Sequence, residues 1–307
     1  MRRGVARRAM ALLIAVATCM VATSQVQASA GVARRASPRK LDVLVIAGQS
    51  NALGYQSYVT DPRTHQDVFT DAGKSPADHR VLLMWDETQV PSSGPSPVPL
   101  DTPQVLAGTS SAVFGPEVGL ARYLYRAGHH HLLVVKVAFS GSSLAEDWTP
   151  TSPDYEALVS SVASARTWAK GNGWAPTLAG LYWMQGETDA MSAALASAYR
   201  SNLKAFLVNV RSDLRLPRAT PIVIGQIDLS RYISFKQVLG LCTTTTCSEE
   251  RTWNNEVMRA QAQSVSWRTF LARTSRLPRY ELLLHLSDLG ELSLGREFGE
   301  LSAKHLT

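Results

Sequence analysis

Five short aliphatic runs, Leu41–Ala47, Val81–Trp85, Leu132–Ala138, Leu178–Met184 and Pro221–Ile227, recur along the chain. Runs this short, bounded by turn residues, predict buried strands. Helical patterns lie between most of them. Pro116–Gly128 begins with Pro in the first turn, has Glu117 next, and ends on glycine. Asp154–Gly171 is again closed by glycine. In the following segment Leu195, Tyr199, Leu203, Phe206, Val210 and Leu214 recur three or four apart, which gives one apolar face. Arg251–Ser266 and Ser287–Ala303 complete the set, with Ser287 or Asp288 available as an N-cap. Strands alternating with helices predict an α/β fold whose mostly parallel, five-stranded sheet is covered on both faces. Function in such sheets collects at the carboxyl ends of the strands. Two long irregular stretches, Tyr55–Arg80 and Asp86–Val113, are rich in Pro, Gly, Ser and Asp and are expected to wall a site.

The first thirty residues read differently. Arg2, Arg3, Arg7 and Arg8 precede the apolar run "AMALLIAVATCMVA", and "ASA" at Ala28–Ala30 offers a small-residue cleavage pattern. This is the anatomy of a secretory signal peptide, cut after Ala30. Residues 31–40 then form a short basic leader, and residues 41–307 a single domain. The segment 1–30 holds four arginines and no acids, so its removal takes the formal charge from +6 to +2. A nearly neutral chain gives no electrostatic case for nucleic acid. Thr18 before Cys19 makes a poor lipid-attachment signal, so stable membrane association is not expected. Cys242 and Cys247 flank four threonines and are placed to form a local disulfide in an oxidising compartment. No second Cys/His pair has zinc-ligand spacing.

The chemistry centres on "VLVIAGQSNALG" at Val43–Gly54. Gly48 ends the first strand, and Ser50 follows between Gln49 and Asn51. A serine hydroxyl needs a base to take its proton and fixed donors for the developing oxyanion. It is not the nucleophile elbow of G-x-S-x-G, because the second glycine is absent. Two more strand ends converge by topology: "FSGSS" at Phe139–Ser143 and "WMQGETD" at Trp183–Asp189. Together with "FGPE" at Phe114–Glu117, these blocks resemble, in order, those of the SGNH (GDSL-like) hydrolases, of the sialate O-acetylesterase and acetylxylan esterase type. The likeness covers about residues 41–300. It implies a three-layer α/β/α sandwich and removal of acetyl groups from sugar hydroxyls, without metal or cofactor. Carried onto this chain, it makes Ser50 the nucleophile, with the Ser50 and Gly141 N–H groups and the Gln185 side-chain amide as the oxyanion hole.

The base implied is a histidine in a D-x-x-H loop before the last helix, and His285 fits the place. His129–His131 lie between a helix end and a strand and read as a solvated turn; nothing marks out His65 or His79. Where the D-x-x-H pattern has aspartate, this chain has Leu282. Leucine cannot accept the imidazole N–H, so Glu187 is expected to orient His285, with Glu281 as the alternative acid and a Ser–His dyad as the remaining option. Asn51 and Trp148 are candidates for contacting the acetylated carbohydrate, whereas core packing is expected for Tyr182 and Trp183. The competing reading is a catalytically impaired carbohydrate-binding protein on the same scaffold.

Overall fold

The computed structural model describes residues 37–61, 66–70, 75–87, 90–230, 248–280 and 284–306, with side chains omitted at 248–252. The expected signal peptide lies outside these residues, as do Cys242 and Cys247. Strand β1 (Arg39–Gly48) is buried from Leu41 to its end, as the aliphatic run from Val43 dictates. It is followed by α1 (Ser50–Leu53), α2 (Pro76–Arg80), β2 (Leu82–Glu87) and three short strands, β3 (Val98–Pro99), β4 (Gln104–Val105) and β5 (Ala112–Val113). Then come α3 (Pro116–Arg126), β6 (Leu132–Ala138), α4 (Pro153–Gly171), β7 (Trp174–Met184) and α5 (Ala193–Asp213). The chain continues through β8 (Ile222–Gln226), α6 (Ser248–Gln263), β9 (Thr269–Arg273) and α7 (Asp288–Ser302).

Among the described residues the main sheet has seven strands in the order β3-β2-β6-β1-β7-β8-β9, not the five expected. The five expected strands are all present and parallel to one another. The two additions were hard to read. Thr269–Arg273 is a five-residue run ending in arginine, and Val98–Pro99 is an antiparallel edge pair containing a proline. Strand β1 occupies the centre. From it the chain steps out to β2, returns to β6 beside β1, and then builds β7, β8 and β9 on the other side. In open parallel sheets ligands bind where the strand order reverses, and here that point lies at the carboxyl ends of β1, β6 and β7.

Neighbouring strand residues show where the helices lie, because they point to opposite faces. Tyr182 meets Phe298 of α7 and hydrogen-bonds Ser302, whereas Trp183 meets Phe206 of α5 and Trp148. Tyr155 of α4 packs on the same Phe206. Helices α4 and α5 thus share one face, and α7 covers the other with α3 crossing it. A Cβ on Gly119 would sit 2.2 Å from Leu292 O, and one on Gly295 2.0 Å from Pro116 O. Only glycine lets the α3 and α7 backbones approach this closely. Ser287 caps α7 by accepting from the Gly290 N–H.

Candidate active site

Three strand ends are tied together directly. The Gln49 N–H donates to Met184 O at the end of β7, and the Phe139 N–H after β6 donates to Gly48 O at the end of β1. Gly48 has φ +146°, and a Cβ there would lie 1.9 Å from Met184 O, so no other residue fits between the strands. The Gln49 side chain reinforces the junction, its Oε1 accepting from the Gly186 and Thr188 N–H groups at 3.3 and 3.4 Å.

Ser50 opens the one-turn helix α1, every residue of which is buried. Its Oγ is buried and has no hydrogen-bond partner among the described residues. A buried hydroxyl left unpaired costs free energy, and the chain keeps this one where the three strand ends meet. Gly141 lies on the turn after β6, with φ +79° and open space where a Cβ would be. Among the described residues neither the Ser50 nor the Gly141 N–H donates to a protein acceptor.

Gln185 differs from expectation. Its amide donates to Ser142 O at 3.0 Å and to Asp189 Oδ2 at 2.5 Å, while its Oε1 accepts from Tyr199. Both amide hydrogens are therefore committed to protein acceptors, and the residue is wholly buried. Asp189 also accepts from the Leu144 N–H, and burial raises its pKa. Gln185 and Asp189 brace the Phe139–Ser143 turn from beneath instead of offering a free donor.

Glu187, too, points elsewhere. Its Oε1 accepts from Asn51 Nδ2 at 2.6 Å, and burial raises its pKa against the lowering effect of that bond. Asn51 is fully buried, so it does not meet a substrate. It is a clamp instead. Its amide lies 3.4 Å from Leu284 O, and its Oδ1 accepts from the Leu286 N–H at 2.9 Å. The residue after Ser50 thereby holds both chain neighbours of His285. Arg279 braces the same segment by donating to Leu284 O at 2.8 Å.

His285 Nδ1 lies 3.0 Å from Gln56 Oε1, and the Tyr55 ring meets the imidazole edge-on at 5.0 Å. Glu187 is thus not the group that receives this imidazole N–H. Burial, with Arg279 adding to it, pushes His285 down to about 4. Gln56 carried no signal in the sequence: it sits in an irregular loop among other polar residues. Glu281 and Leu282 lie outside the described residues.

Trp148 is also corrected. It is 1% exposed, donates to Ser142 Oγ and packs edge-on against Trp183, so its indole fills the core. Tyr182 and Trp183 are buried as expected. Of the other histidines, His79 pairs with Asp101 and His131 contacts Arg39. The two long loops do face each other across a cavity of about 690 Å³ lined by Tyr58, Thr60, Asp67, Val105 and Ser111, without Ser50 or His285. Among the described residues no group of three or more His, Cys, Asp or Glu side chains is placed to hold a metal.

A family model described as carbohydrate esterase, sialic acid-specific acetylesterase, matches residues 40–304. An Arabidopsis thaliana protein of known X-ray structure is similar at TM-score 0.62 and 20% identity, over 88% of this chain and all of that one. NanS is similar at TM-score 0.60 and 15% identity, over 87% of this chain and 98% of that one. A carbohydrate acetylesterase from Xanthomonas citri follows at TM-score 0.51 and 15% identity, over 86% of this chain and 56% of that one. No curated protein sequence matches the chain.

Proposed function

Since the chain belongs to the sialic acid-specific acetylesterase family of carbohydrate esterases, we propose that it is a serine esterase that removes O-acetyl groups from carbohydrate through an acetyl-enzyme. The observation that carries the mechanism is Ser50: a buried hydroxyl without a partner among the described residues, at the meeting of three strand ends, one residue before the asparagine that clamps the His285 segment. The segment 1–30 supports export of this activity, and Cys242 with Cys247 a disulfide in the exported chain.

In the reaction, Ser50 Oγ attacks the acetyl carbonyl as His285 Nε2 takes its proton. The Ser50 and Gly141 N–H groups receive the tetrahedral oxyanion, being fixed in place before charge develops. His285 returns the proton to the departing sugar hydroxyl. Water then gives a proton to His285 and attacks the acetyl-enzyme; as acetate is released, His285 passes that proton to the departing Ser50 Oγ. Gln185 acts through the turn it braces, keeping Gly141 in register.

A fluorophosphonate probe tests the reading. Labelling confined to the Ser50 peptide supports it; a folded protein left unlabelled points to a carbohydrate-binding protein on an esterase scaffold. The base adds a pH signature. His285 is neutral, and so competent, above about 4. The kcat/KM profile, which reports the free enzyme, should stay level from near neutrality down to about pH 5 and fall on an acid limb near pH 4. A limb at the ordinary histidine value of about 6.5 would contradict the buried setting.

A further inference from the structure

In the Ser-His-Asp arrangement a carboxylate receives the imidazole N–H and stabilises the imidazolium. Among the described residues no carboxylate hydrogen-bonds His285; the acceptor there is the Gln56 side chain, 3.0 Å away. An amide oxygen can only accept, so the donor in this contact is His285 Nδ1–H. That fixes the tautomer and leaves Nε2, the atom that must take the serine proton, as the basic nitrogen.

The backbone of Gln56 makes the contact the more telling. It has φ +70°, a left-handed conformation uncommon for a residue with a Cβ. The loop keeps it there with bonds on both sides: the Tyr55 N–H donates to Ser50 O, the Ser57 N–H to Gly54 O and the Phe114 N–H to Ser57 O. Local strain at a site is a reason to look for what the side chain does. Here it is carried on a short tether from the nucleophile helix. The same tether turns the Tyr55 ring against the imidazole.

We propose that Gln56 is the positioning residue for His285, an uncharged acceptor in the place an acid would hold. This deepens the esterase reading and rests on it for its catalytic consequence. An amide dipole orients the imidazole but stabilises the imidazolium less than a carboxylate does. The arrangement gives up some basicity and keeps the imidazole neutral in acid.

Three variants and two readouts test it. Gln56→Gly relieves the left-handed backbone, so its melting temperature should match or exceed that of the parent. Its kcat should nevertheless fall about 10²-fold at little changed KM, the size expected for a misplaced catalytic group. A purely structural role predicts the reverse pairing. Gln56→Glu should move the acid limb from about 4 toward or above the ordinary histidine value of about 6.5 and raise kcat on the plateau. Gln56→Met keeps the length without the acceptor and should behave as the glycine variant does.

The second readout needs no turnover. Imidazole ¹⁵N–¹H spectra of the Ser50→Ala protein should show His285 as the Nδ1–H tautomer with Gln56 present and a tautomer mixture in Gln56→Gly. An unchanged tautomer and an unmoved acid limb across all three variants would overturn the proposal. If the spectra respond while the active-serine chain hydrolyses no ester, the positioning holds and the esterase reading fails.

Discussion

Ser50→Ala is expected to lower kcat for 4-nitrophenyl acetate by about 10⁶, the scale at which a triad enzyme loses its nucleophile. The same substitution should leave the melting temperature unchanged or slightly higher. The two halves of this result have one cause. Ser50 Oγ is buried without a hydrogen-bond partner among the described residues, so its removal breaks no bond and relieves an unpaired polar group. A hydroxyl that served the fold would behave oppositely: its loss would lower stability and touch turnover only indirectly. Initial rates of both proteins over a pH range, with thermal unfolding of each, check the expectation in one experiment. Residual rate in the variant has a defined source, because the Ser50 and Gly141 N–H groups remain to polarise a bound carbonyl. A variant as fast as the parent would remove Ser50 from the mechanism altogether.

How much of this could be read from the chain divides along physical lines. Strands such as Leu132–Ala138 were legible because burial on both faces demands a mostly aliphatic run, interrupted there by Lys136 alone, and the helices because one apolar face recurs every three or four residues. The turns at Gly48 and Gly141 were legible because close backbone approach and a positive φ leave little choice but glycine: Gly48 faces Met184 O, and Gly141 has φ +79°. What escaped depends on which atoms meet across the fold. Glu187 and Asn51 lie 136 residues apart, and only the folded chain shows that they satisfy each other, leaving His285 to Gln56. Trp148 reads as a loop aromatic in sequence, yet the turn carrying it folds back into the core against Trp183. Gln185 has the right residue type for a donor, but its two hydrogens are spent on Ser142 and Asp189.

The largest stability effect is expected at a residue that no motif marks. Lys136 lies mid-strand in β6 with its side chain fully buried, an arrangement that survives only if the charge is paired. Its Nζ is 2.9 Å from Glu117 Oε1, 2.9 Å from Glu87 Oε1, and donates to Leu53 O at the end of the serine helix. Glu117 Oε1 also takes the Gln104 amide and the Gly115 N–H, whereas buried Glu291 has neither oxygen partnered among the described residues. One lysine cannot neutralise three carboxylates. Burial accordingly raises Glu87 to about 8, so it holds its proton in the folded chain near neutrality, and raises Glu291 well above its ordinary value. Lys136→Met removes the cation between Glu87 and Glu117 and leaves the acceptors behind, which should cost about 3–5 kcal/mol, as breaking a buried pair does. In a chain this size the melting temperature should fall by roughly 10 °C. The pH dependence has a definite sign. Between the ordinary 4.5 and about 8 the folded chain keeps a proton on Glu87 that the unfolded chain releases. Stability therefore declines as pH rises through that window. Glu87→Gln should flatten the slope. Adding Glu117→Gln to Lys136→Met should recover part of the loss. Equal melting temperatures for parent and Lys136→Met across this range would mean that the cluster does not depend on its lysine. Because Leu53 closes the helix that Ser50 opens, kcat of the folded Lys136→Met protein should fall too, linking the buried charges to the nucleophile they support.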